Sequence, residues 1–461
     1  MNILLVGLGP HARYYHYKIL EKHMDKYNVK IKLLIDLVDQ QDQIGSYIAG
    51  KSLKPERMIF LEESNRNMDK LPESLTGELD RLARAEKIDG MIISTEPKSH
   101  KKYILWAVRN NIDVLVDKPI TAYEMDIENP ENACGIYRDY LEIKEALKRS
   151  TSKISVMVAR RRQSGINFIR DYLARELEQY RVPITYMSIY HAEGMWNMPD
   201  EFEYRENHPY KYGYGLMLHS GYHFVDLLNW MAELNKIVIG GFPDSIEIFA
   251  SNTTPYDFLH QVRQDAYDKF FTHHCFGKCF EDANINAYKK YGEVDVNAIL
   301  QFKQDDAVIT TGVLNLLQTS FSRRAWAELP ADTYKKNGRV RHEAFCFQVA
   351  TLISIHAHLF QTGEFGADQK FTVKIFRNSG LIGGKTYEEV TFSDTGGNQS
   401  MLGEAREKIL TAWLAKSDTQ TEFWLHANTE LLLSKIYESL LKGRKNLCRE
   451  VKMYPEKIHR I

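Results

Sequence analysis

The 461-residue sequence has no excess of charge of either sign, few cysteines and no long apolar run. Its 60 Lys and Arg residues are balanced by 61 Asp and Glu residues, so no overall field attracts nucleic acid or an anionic membrane. No run of about 18 or more apolar residues is present, and we therefore expect no segment to span a membrane. These absences leave a small molecule as the expected partner, with neither nucleic acid nor membrane bound.

The five cysteines are an odd number spread along the chain, which is typical of reduced thiols and not of a disulfide framework. The opening MNILLVGLGP has no basic segment, and Gly7 interrupts its apolar run, so it does not resemble a signal peptide. We expect a cytoplasmic protein. The length and the 44% of hydrophobic residues favour a globular protein of two or three domains.

The apolar run at the start of the chain is typical of a strand buried in a parallel sheet. It leads into GLGPHA, in which Gly7 permits a tight turn, Gly9 lets the backbone approach a pyrophosphate, and Ala12 allows close packing of helix on strand. Proline suits the first turn of a helix, whose remaining backbone donors can face a diphosphate. The alternative is a plain strand-to-helix turn. The predicted phosphate-binding residues are Gly7, Gly9, Pro10, His11 and Ala12.

The next apolar segment, VKIKLLID, ends at Asp36, about where an acidic residue accepts hydrogen bonds from an adenosine ribose. A carboxylate at this position repels a 2′-phosphate, so NAD is favoured over NADP as the cofactor. The alternatives are that Asp36 is a solvated residue at a strand end, or that Asp39 takes the role in a different register.

A second unit follows the charge-rich stretch from Lys51 to Lys87. The pattern predicts a strand over Gly90–Ser94, a helix over Lys98–Asn110 and a strand over Asp113–Val116. This alternation is typical of a βαβ unit in a doubly wound sheet, which binds ligands at the carboxyl ends of its strands.

Three segments together resemble the Gfo/Idh/MocA oxidoreductases, a family named for glucose-fructose oxidoreductase and inositol dehydrogenase. STEPKSH is similar to the family's TPxxxH loop beneath the nicotinamide, and VLVDKPIT to its EKP motif, with Asp117 replacing Glu and Lys118 retained. GYGLMLHSGYHFVDLL is similar to GGGxxxDxGxHxxDL, with His223 matched and His219 in place of the usual aspartate. The resemblance implies cofactor contacts from Thr95, Glu96, Pro97, His100 and Lys118.

The resemblance implies an α/β protein of two domains. Residues 1–159 are expected to form a Rossmann domain with a doubly wound parallel sheet, ending with the strand KISVMVA. Residues 160–461 are expected to form an α+β domain for substrate binding and oligomerisation, with a largely antiparallel open sheet. The family uses such a sheet to pair subunits, so we expect a homodimer or homotetramer. No assignment is made for residues 320–390.

The implied reaction is hydride transfer between nicotinamide and a hydroxyl-bearing carbon of a sugar, cyclitol or sugar derivative. Removal of the hydroxyl proton needs a base, and histidine has a pKa suited to this task. His223 matches the family's catalytic histidine, while Lys118 would stabilise charge developing on the same oxygen. The alternative for each residue is a packed histidine or a solvated lysine.

The histidine at position 219 removes a carboxylate from the predicted site, which favours an anionic substrate. Alternatively, His219 only forms hydrogen bonds within its helix, and Asp117 or Glu193 restores the charge. Arg161 and Tyr212 are predicted to contact the substrate, with Lys211 and Tyr214 as weaker candidates. The basic run around Arg161 has the alternative of a solvated surface.

Two groups of residues have the spacing of metal ligands. His219, His223 and Asp226 share one face of a helix, and HHCFGKC places two histidines close to two cysteines. Because Asp226 matches a structural position of the family, and HHCFGKC lacks a second paired motif, we expect no metal. A regulator that binds NAD or a sugar without turnover and an amino-acid or imine reductase remain as alternative functions.

Overall fold

The computed structural model describes residues 1–66, 68–123, 131–205, 209–241, 243–329, 338–361, 370–393 and 400–443. These residues form two sheets, one parallel and one mixed, with helices on both faces of the first and on one face of the second. Within these ranges, no helix combines the length and the apolar character needed to cross a membrane.

The first sheet consists of six parallel strands. They are β1 (Asn2–Val6), β2 (Lys30–Leu37), β3 (Met58–Leu61), β4 (Gly90–Ile93), β5 (Asp113–Asp117) and β6 (Ile154–Met157). The spatial order β3-β2-β1-β4-β5-β6 reverses direction between β1 and β4, and this opens a crevice at their carboxyl ends. The central strands are almost continuous apolar runs because helices cover both faces of the sheet.

The helices around this sheet are α1 (Pro10–Tyr14), α2 (His16–Tyr27), α3 (Gln41–Ala49), α4 (Glu73–Ala85), α5 (Pro97–Arg109) and α6 (Glu131–Leu147). The charge-rich stretch from Lys51 to Lys87, to which the sequence pattern assigned no element, contains β3 and α4. Its leucines explain this: Leu75, Leu79 and Leu82 follow the helical spacing and are buried against the sheet, while the charged residues between them face outward.

The second sheet has eight strands in the order β14-β13-β12-β11-β7-β10-β9-β8. They are β7 (Tyr186–Ala192), β8 (Ser245–Thr253), β9 (Asp295–Gln304), β10 (Ala307–Leu317), β11 (Arg341–Val349), β12 (Ile353–Gln361), β13 (Lys370–Arg377) and β14 (Tyr387–Ser393). Only β7 and β10 pair in parallel, so the predicted fold class, a parallel Rossmann sheet followed by a largely antiparallel sheet, is confirmed. The unassigned residues 320–390 supply β11, β12, β13 and the start of β14.

Helices cover the inner face of this sheet, and in the described part of the chain no helix covers its outer face. Residues along the strands alternate between buried and exposed, as expected for a sheet with one packed face. The helices that follow β6 are α7 (Ser164–Tyr180), α8 (Glu201–Tyr204), α9 (Tyr222–Ala232), α10 (Lys236–Ile239), α11 (Pro255–Gln261), α12 (Gln264–Phe270), α13 (Asp282–Ala287), α14 (Ser379–Ile382), α15 (Met401–Leu414) and α16 (Ala427–Gly443).

After the second sheet, the chain returns to the first. Ile409, Leu410 and Trp413 of α15 belong to the same apolar cluster as Ile3 and Leu5 of β1. The helix α16 packs against α6 of the first domain and against α9 and β8 of the second. The two sheets are therefore joined by a shared core, and residues from α15 reach the crevice of the first sheet.

Candidate active site

A cavity of about 430 Å³ lies at the carboxyl ends of the parallel strands. Residues of both domains line it. The first domain contributes the loops after β1, β2, β4 and β5, and the second contributes residues from the segment before α9 and from α9 itself. The cavity therefore occupies the position at which a doubly wound sheet binds its ligands.

The glycine-rich loop forms one wall of this cavity. Gly7 has a φ of +85°, and a Cβ added there would lie 2.5 Å from the carbonyl oxygen of Ser94, so no other residue fits. At Gly9 an added Cβ would meet no atom within 4 Å, which leaves open space beside the backbone for a ligand. Pro10 begins α1, and together with His11 it lines the cavity. Ala12 is fully buried and packs beneath the loop, so it does not contact the cavity.

Asp36 lies at the end of β2 on the cavity wall. Its two carboxylate oxygens accept hydrogen bonds from the backbone N–H groups of Leu8, at 2.7 Å, and Leu37, at 2.8 Å. Burial raises the pKa of this carboxyl, and the two hydrogen bonds oppose the rise. Asp36 thus connects the glycine-rich loop to the next strand. Asp39, the alternative in a different register, does not line the cavity, whereas Gln40 does.

The loop after β4 brings Thr95, Glu96 and Pro97 to the cavity. His100 was predicted to contact the cofactor, but the structure places it beneath the loop, fully buried. Its Nδ1 lies 3.0 Å from the carbonyl oxygen of Pro119 and its Nε2 lies 3.1 Å from that of Thr95. His100 therefore joins the loops after β4 and β5, and this role keeps its ring away from the cavity.

Lys118 follows β5 and points to the second domain, where its Nζ donates a hydrogen bond to the carbonyl oxygen of His219. Burial lowers the pKa of Lys118 to about 8, although the charge of Asp117 opposes the change. Asp117 has partners of its own: His16 Nε2 lies 2.8 Å from one carboxylate oxygen, and Ser94 donates to the other. Burial opposes ionisation of Asp117, but His16 and His11 outweigh it and lower its pKa.

His219 and His223 line the opposite wall. They do not lie on one regular helix, because Met217–Gly221 form a π-helical turn that runs directly into α9. Such turns widen the backbone and occur often at functional sites. Among the described residues, His223 Nδ1 is buried and has no hydrogen-bond partner. Burial, followed by the charges of Lys118 and Arg160, lowers the pKa of His223 well below its usual value, so the ring is neutral near pH 7.

Arg161 is not at the cavity, which corrects its predicted place near the substrate. Its guanidinium is fully buried and donates to both carboxylate oxygens of Asp226, at 2.9 and 2.6 Å. Asp226 also accepts a hydrogen bond from Thr429 at 2.9 Å. The pair joins the start of the second domain to α9 and α16, and the charge of Arg161 is satisfied within the core. Tyr212 is also outside the cavity, with 44% of its surface exposed, whereas Tyr214 lines it.

The two groups with metal-ligand spacing do not assemble as sites in the described part of the chain. Asp226 is held by Arg161, and within the same residues no three ligand atoms of HHCFGKC come together. A different set does come together: ligand atoms of His11, His16 and Asp117 lie within 4.8 Å of one another. Sequence spacing did not indicate this set, because Asp117 is far from the histidines along the chain.

The sequence analysis did not predict some of the residues that line the cavity. Arg406 of α15 lies 4.1 Å above the ring of Tyr15 and lines the cavity. Lys102 donates to the carbonyl oxygens of Asn65, Arg66 and Met68, and so holds the segment after β3 against the cavity. Neither residue belongs to a local motif. Only the return of α15 and the packing of α5 on the β3 segment bring them to the site.

Residues 1–134 match the Gfo/Idh/MocA family model, described as an oxidoreductase family with an NAD-binding Rossmann fold. The match confirms the predicted family resemblance over the nucleotide-binding domain, and with it the prediction of an NAD-binding oxidoreductase. A comparison with curated proteins gave no match.

Solved structures share the fold over nearly the whole chain. The WlbA dehydrogenase from Bordetella pertussis in complex with NADH and UDP-GlcNAcA is 12% identical, with a TM-score of 0.55 and coverage of 96% of this chain and 97% of that chain. The UDP-N-acetylglucosamine 3-dehydrogenase GnnA from Acidithiobacillus ferrooxidans is 10% identical (TM-score 0.52; 96% and 98% covered). KijD10, a 3-ketoreductase from Actinomadura kijaniata in complex with NADP and TDP-benzene, is 10% identical (TM-score 0.52; 96% and 97% covered).

Proposed function

We propose that this chain, whose first 134 residues match an NAD-binding oxidoreductase family, is an NAD-dependent dehydrogenase or reductase acting on a CH–OH group of a sugar derivative. Residues 1–159 would bind the cofactor, and residues 160–461 would bind the substrate. The observation that carries the proposal is the meeting of Lys118 and His223 on opposite walls of one cavity that also contains the glycine-rich loop and Asp36.

The residues present fit a dinucleotide. The open space beside Gly9 and the start of α1 offer backbone donors to a diphosphate, and Asp36 offers a carboxylate to a ribose. When bound, the cofactor accepts or returns a hydride at nicotinamide C4. The negative charge of Asp36 and the neutral side chain of Gln40 beside it favour NAD over NADP, because a 2′-phosphate would meet a carboxylate there. The structural relatives include complexes with either cofactor.

The proton transfer follows from the protonation states of His223 and Lys118, which face each other across the cavity. In the oxidative direction, neutral His223 takes the hydroxyl proton of the substrate while the carbon loses its hydride and the carbonyl forms. The ammonium of Lys118 donates a hydrogen bond to the same oxygen and stabilises its negative charge, an effect strengthened by burial. In the reductive direction, His223 returns the proton. Pro209, Tyr214 and Leu218 line the remaining wall and would exclude water.

An anionic sugar derivative is the substrate class that the charges favour. The family's aspartate is replaced by His219, and Glu193 is engaged by Arg341 through two hydrogen bonds. Asp117 is the carboxylate nearest in sequence to Lys118, and it is shared with His16 and Ser94. Relatives of the same fold bind or act on nucleotide-linked sugars, as UDP-GlcNAcA in WlbA illustrates.

The test is absorbance of the reduced nicotinamide during incubation with NAD or NADP and a panel of neutral sugars, cyclitols, uronic acids and nucleotide sugars. The proposal expects turnover with at least one sugar derivative and faster turnover with NAD. Tight NAD binding without turnover on any member would contradict it and favour a regulator of the same fold. A cytoplasmic location remains a prediction from the reduced cysteines.

A further inference from the structure

A group of three arginines lies around Glu193, the residue that follows β7. This arginine cluster consists of Arg205, Arg339 and Arg341. Arg341 donates to both oxygens of Glu193, at 2.7 and 3.1 Å, and Arg339 Nη2 lies 3.4 Å from the same carboxylate. Arg205 donates to neutral acceptors, the sulfur of Met195 and the amide oxygen of Asn197. One buried carboxylate is thus shared by two guanidinium groups, with a third beside them.

The arginine cluster does not line the cavity itself, but a series of contacts connects it to the cavity wall that carries His219. His191 at the end of β7, Glu193 just after it and Glu343 of β11 are buried, and Arg341 is on the same side of β11 as Glu343. Ser220, next to His219, lies 3.2 Å from His191 Nε2, which in turn lies 3.9 Å from Glu193. A continuous series of contacts therefore runs from the wall with His219 to the arginine cluster.

Electrostatic coupling agrees with this placement. The charge of Glu193 raises the pKa of Lys118, and the charge of Arg341 lowers it. Burial, with the charges of Arg341 and Arg205, lowers the pKa of Arg339 to about 10, even though Glu193 opposes the change. The arginines therefore repel one another in a poorly solvated place, and a bound anion would relieve this repulsion.

Other buried arginines near the site have carboxylates of their own. Arg160 pairs with Glu343, and Arg324 pairs with Glu201. Arg339 differs from these: within the described part of the chain, its buried Nε has no hydrogen-bond partner. The side chains of Arg339 and Arg341 remain 20% and 23% exposed, so a ligand in solution can reach them.

The backbone holds these two arginines in place. Gly338 has a φ of +75°, and an added Cβ would lie 2.5 Å from the backbone nitrogen of Arg324. Gly194 has a φ of +63°, and an added Cβ would lie 2.2 Å from the carbonyl oxygen of Val340. The segment 338–341 is therefore packed directly on the backbone of its neighbours. Donors fixed in this way are suited to recognise a ligand of defined shape.

We propose that Arg339 and Arg341 form the subsite that binds the acidic group of the substrate, an oxyanion supplied either by a sugar carboxylate or by a sugar phosphate. The inference rests on the proposed function, because it assigns the acidic end of the same substrate whose hydroxyl meets Lys118 and His223. The planar guanidinium can donate two parallel hydrogen bonds to either oxyanion. Without a ligand, the carboxylate of Glu193 partly neutralises the two arginines.

The test measures binding by calorimetry, with and without saturating NADH, using D-glucuronate, D-glucose 1-phosphate and neutral D-glucose as probes. The wild type should bind at least one acidic probe about tenfold or more tightly than glucose, since bidentate charged contacts are strong. Preference for glucuronate alone identifies a carboxylate subsite, and preference for glucose 1-phosphate alone a phosphate subsite; both support the proposal. Equal affinity for all three probes would overturn it.

Variants separate this role from a purely structural ion pair. Arg339→Gln should remove most of the preference for the acidic probe and leave glucose binding unchanged, whereas Arg339→Lys should keep part of it. Glu193→Gln should strengthen binding of the acidic probe, because the internal carboxylate no longer competes. Arg263→Gln, at an arginine with 79% of its side chain exposed, is the matched control and should change nothing.

Thermal unfolding of every variant checks that it is folded. A structural role predicts that Arg339→Gln and Glu193→Gln both lower the unfolding temperature and leave the ratio of affinities unchanged, and that result would overturn the proposal. Failure of the proposed function has a different signature. It would appear as absent NADH binding or absent turnover, while the preference for the acidic probe, measured without cofactor, would persist.

Discussion

Lys118 and His223 lie on opposite walls of the cavity, and burial sets the pKa of both. Burial disfavours the charged form of both, and the charge of Lys118 lowers the pKa of His223 further. The pair is therefore held as a cation beside a neutral imidazole, which is the combination needed to stabilise an alkoxide and accept its proton.

Removal of either side chain should reduce turnover by about a hundredfold or more, because an acid/base or oxyanion contact is lost. We expect Lys118→Ala and His223→Ala to retain NAD binding, measured by titration with NADH fluorescence, since the glycine-rich loop and Asp36 are unchanged. Lys153→Ala and His260→Ala, at exposed positions of the same residue types, are the matched controls. Normal turnover in the two site variants would contradict the assigned roles.

The pH dependence follows from the pKa of Lys118, which burial lowers to about 8. The ammonium form is present below this value and is lost as the pH rises through it, so turnover should fall above about pH 8. Lys118→Arg keeps its charge, so its turnover should fall only at a higher pH than in the wild type, although the maximum turnover should be lower. A turnover profile that stays flat to about pH 10 in the wild type would show that the charged lysine is not required.

At the scale of single elements, the loop between β1 and α1 depends on the strand beside it. Asp36 at the end of β2 accepts the N–H of Leu8, so one side chain both fixes the loop and faces the cavity. The glycine-rich loop and Asp36 thus form one structural unit, and a change at Asp36 also affects the loop.

The variant Asp36→Ala should reduce the preference for NAD over NADP by about tenfold, because a like charge no longer opposes the 2′-phosphate. Calorimetry with both cofactors measures the ratio. Asp36→Asn retains an acceptor for the loop and serves as the control for loop geometry. An unchanged ratio in both variants would remove Asp36 from the cofactor site.

The π-helical turn before α9 is held by a buried carboxyl. Glu293 Oε1 accepts hydrogen bonds from the N–H of Met217, at 2.8 Å, and from the hydroxyl of Tyr437, at 2.9 Å. Burial raises the pKa of Glu293 to about 7. This group therefore connects α16 to the turn that carries His219.

The pKa of Glu293 is higher in the folded state than in the unfolded state, so ionisation of this carboxyl destabilises the fold. The loss of stability grows as the pH rises from the unfolded-state pKa to the folded-state pKa. Glu293→Gln keeps both hydrogen bonds without the charge. The stability of the variant relative to the wild type should therefore improve by about 1 kcal/mol between about pH 6 and pH 8.5. Thermal unfolding at both pH values checks this, with Glu389→Gln as the exposed control. A difference independent of pH would contradict a buried, titrating carboxyl.

At the scale of the whole molecule, the second sheet has one face packed on helices, and no described residue covers the other face. Three large apolar side chains, those of Phe249, Ile299 and Phe360, are exposed on this face among polar ones, and Phe249 pairs with Ile299 across neighbouring strands. Such a surface is typical of an association site. We propose that it pairs with a second copy of the chain, in keeping with the predicted homodimer or homotetramer.

The oligomeric state can be measured by light scattering. We expect a mass of at least twice that of the monomer, and Phe360→Glu should shift the protein toward the monomer because it places a charge in the apolar face. Leu141→Glu, on an exposed helix position of the first domain, is the control. A wild type that is monomeric at all concentrations would contradict this assembly.

Local sequence determined the central strands of the first sheet and the loops that follow them, but not β3 or α4. The apolar run of β1, the glycines at positions 7 and 9, and the lysine after β5 lie in short contiguous segments, so their spacing alone indicates strand, turn and helix. The places of Arg161, Arg339 and Arg406 were decided by the tertiary structure. Arginines have the same local pattern whether they are solvated, paired with a buried aspartate or directed into a cavity. The environment of each arginine depends on which charged groups lie next to it in the folded protein. Those neighbours come from long-range packing between α9 and α16, between β7 and β11, and between α15 and the first sheet.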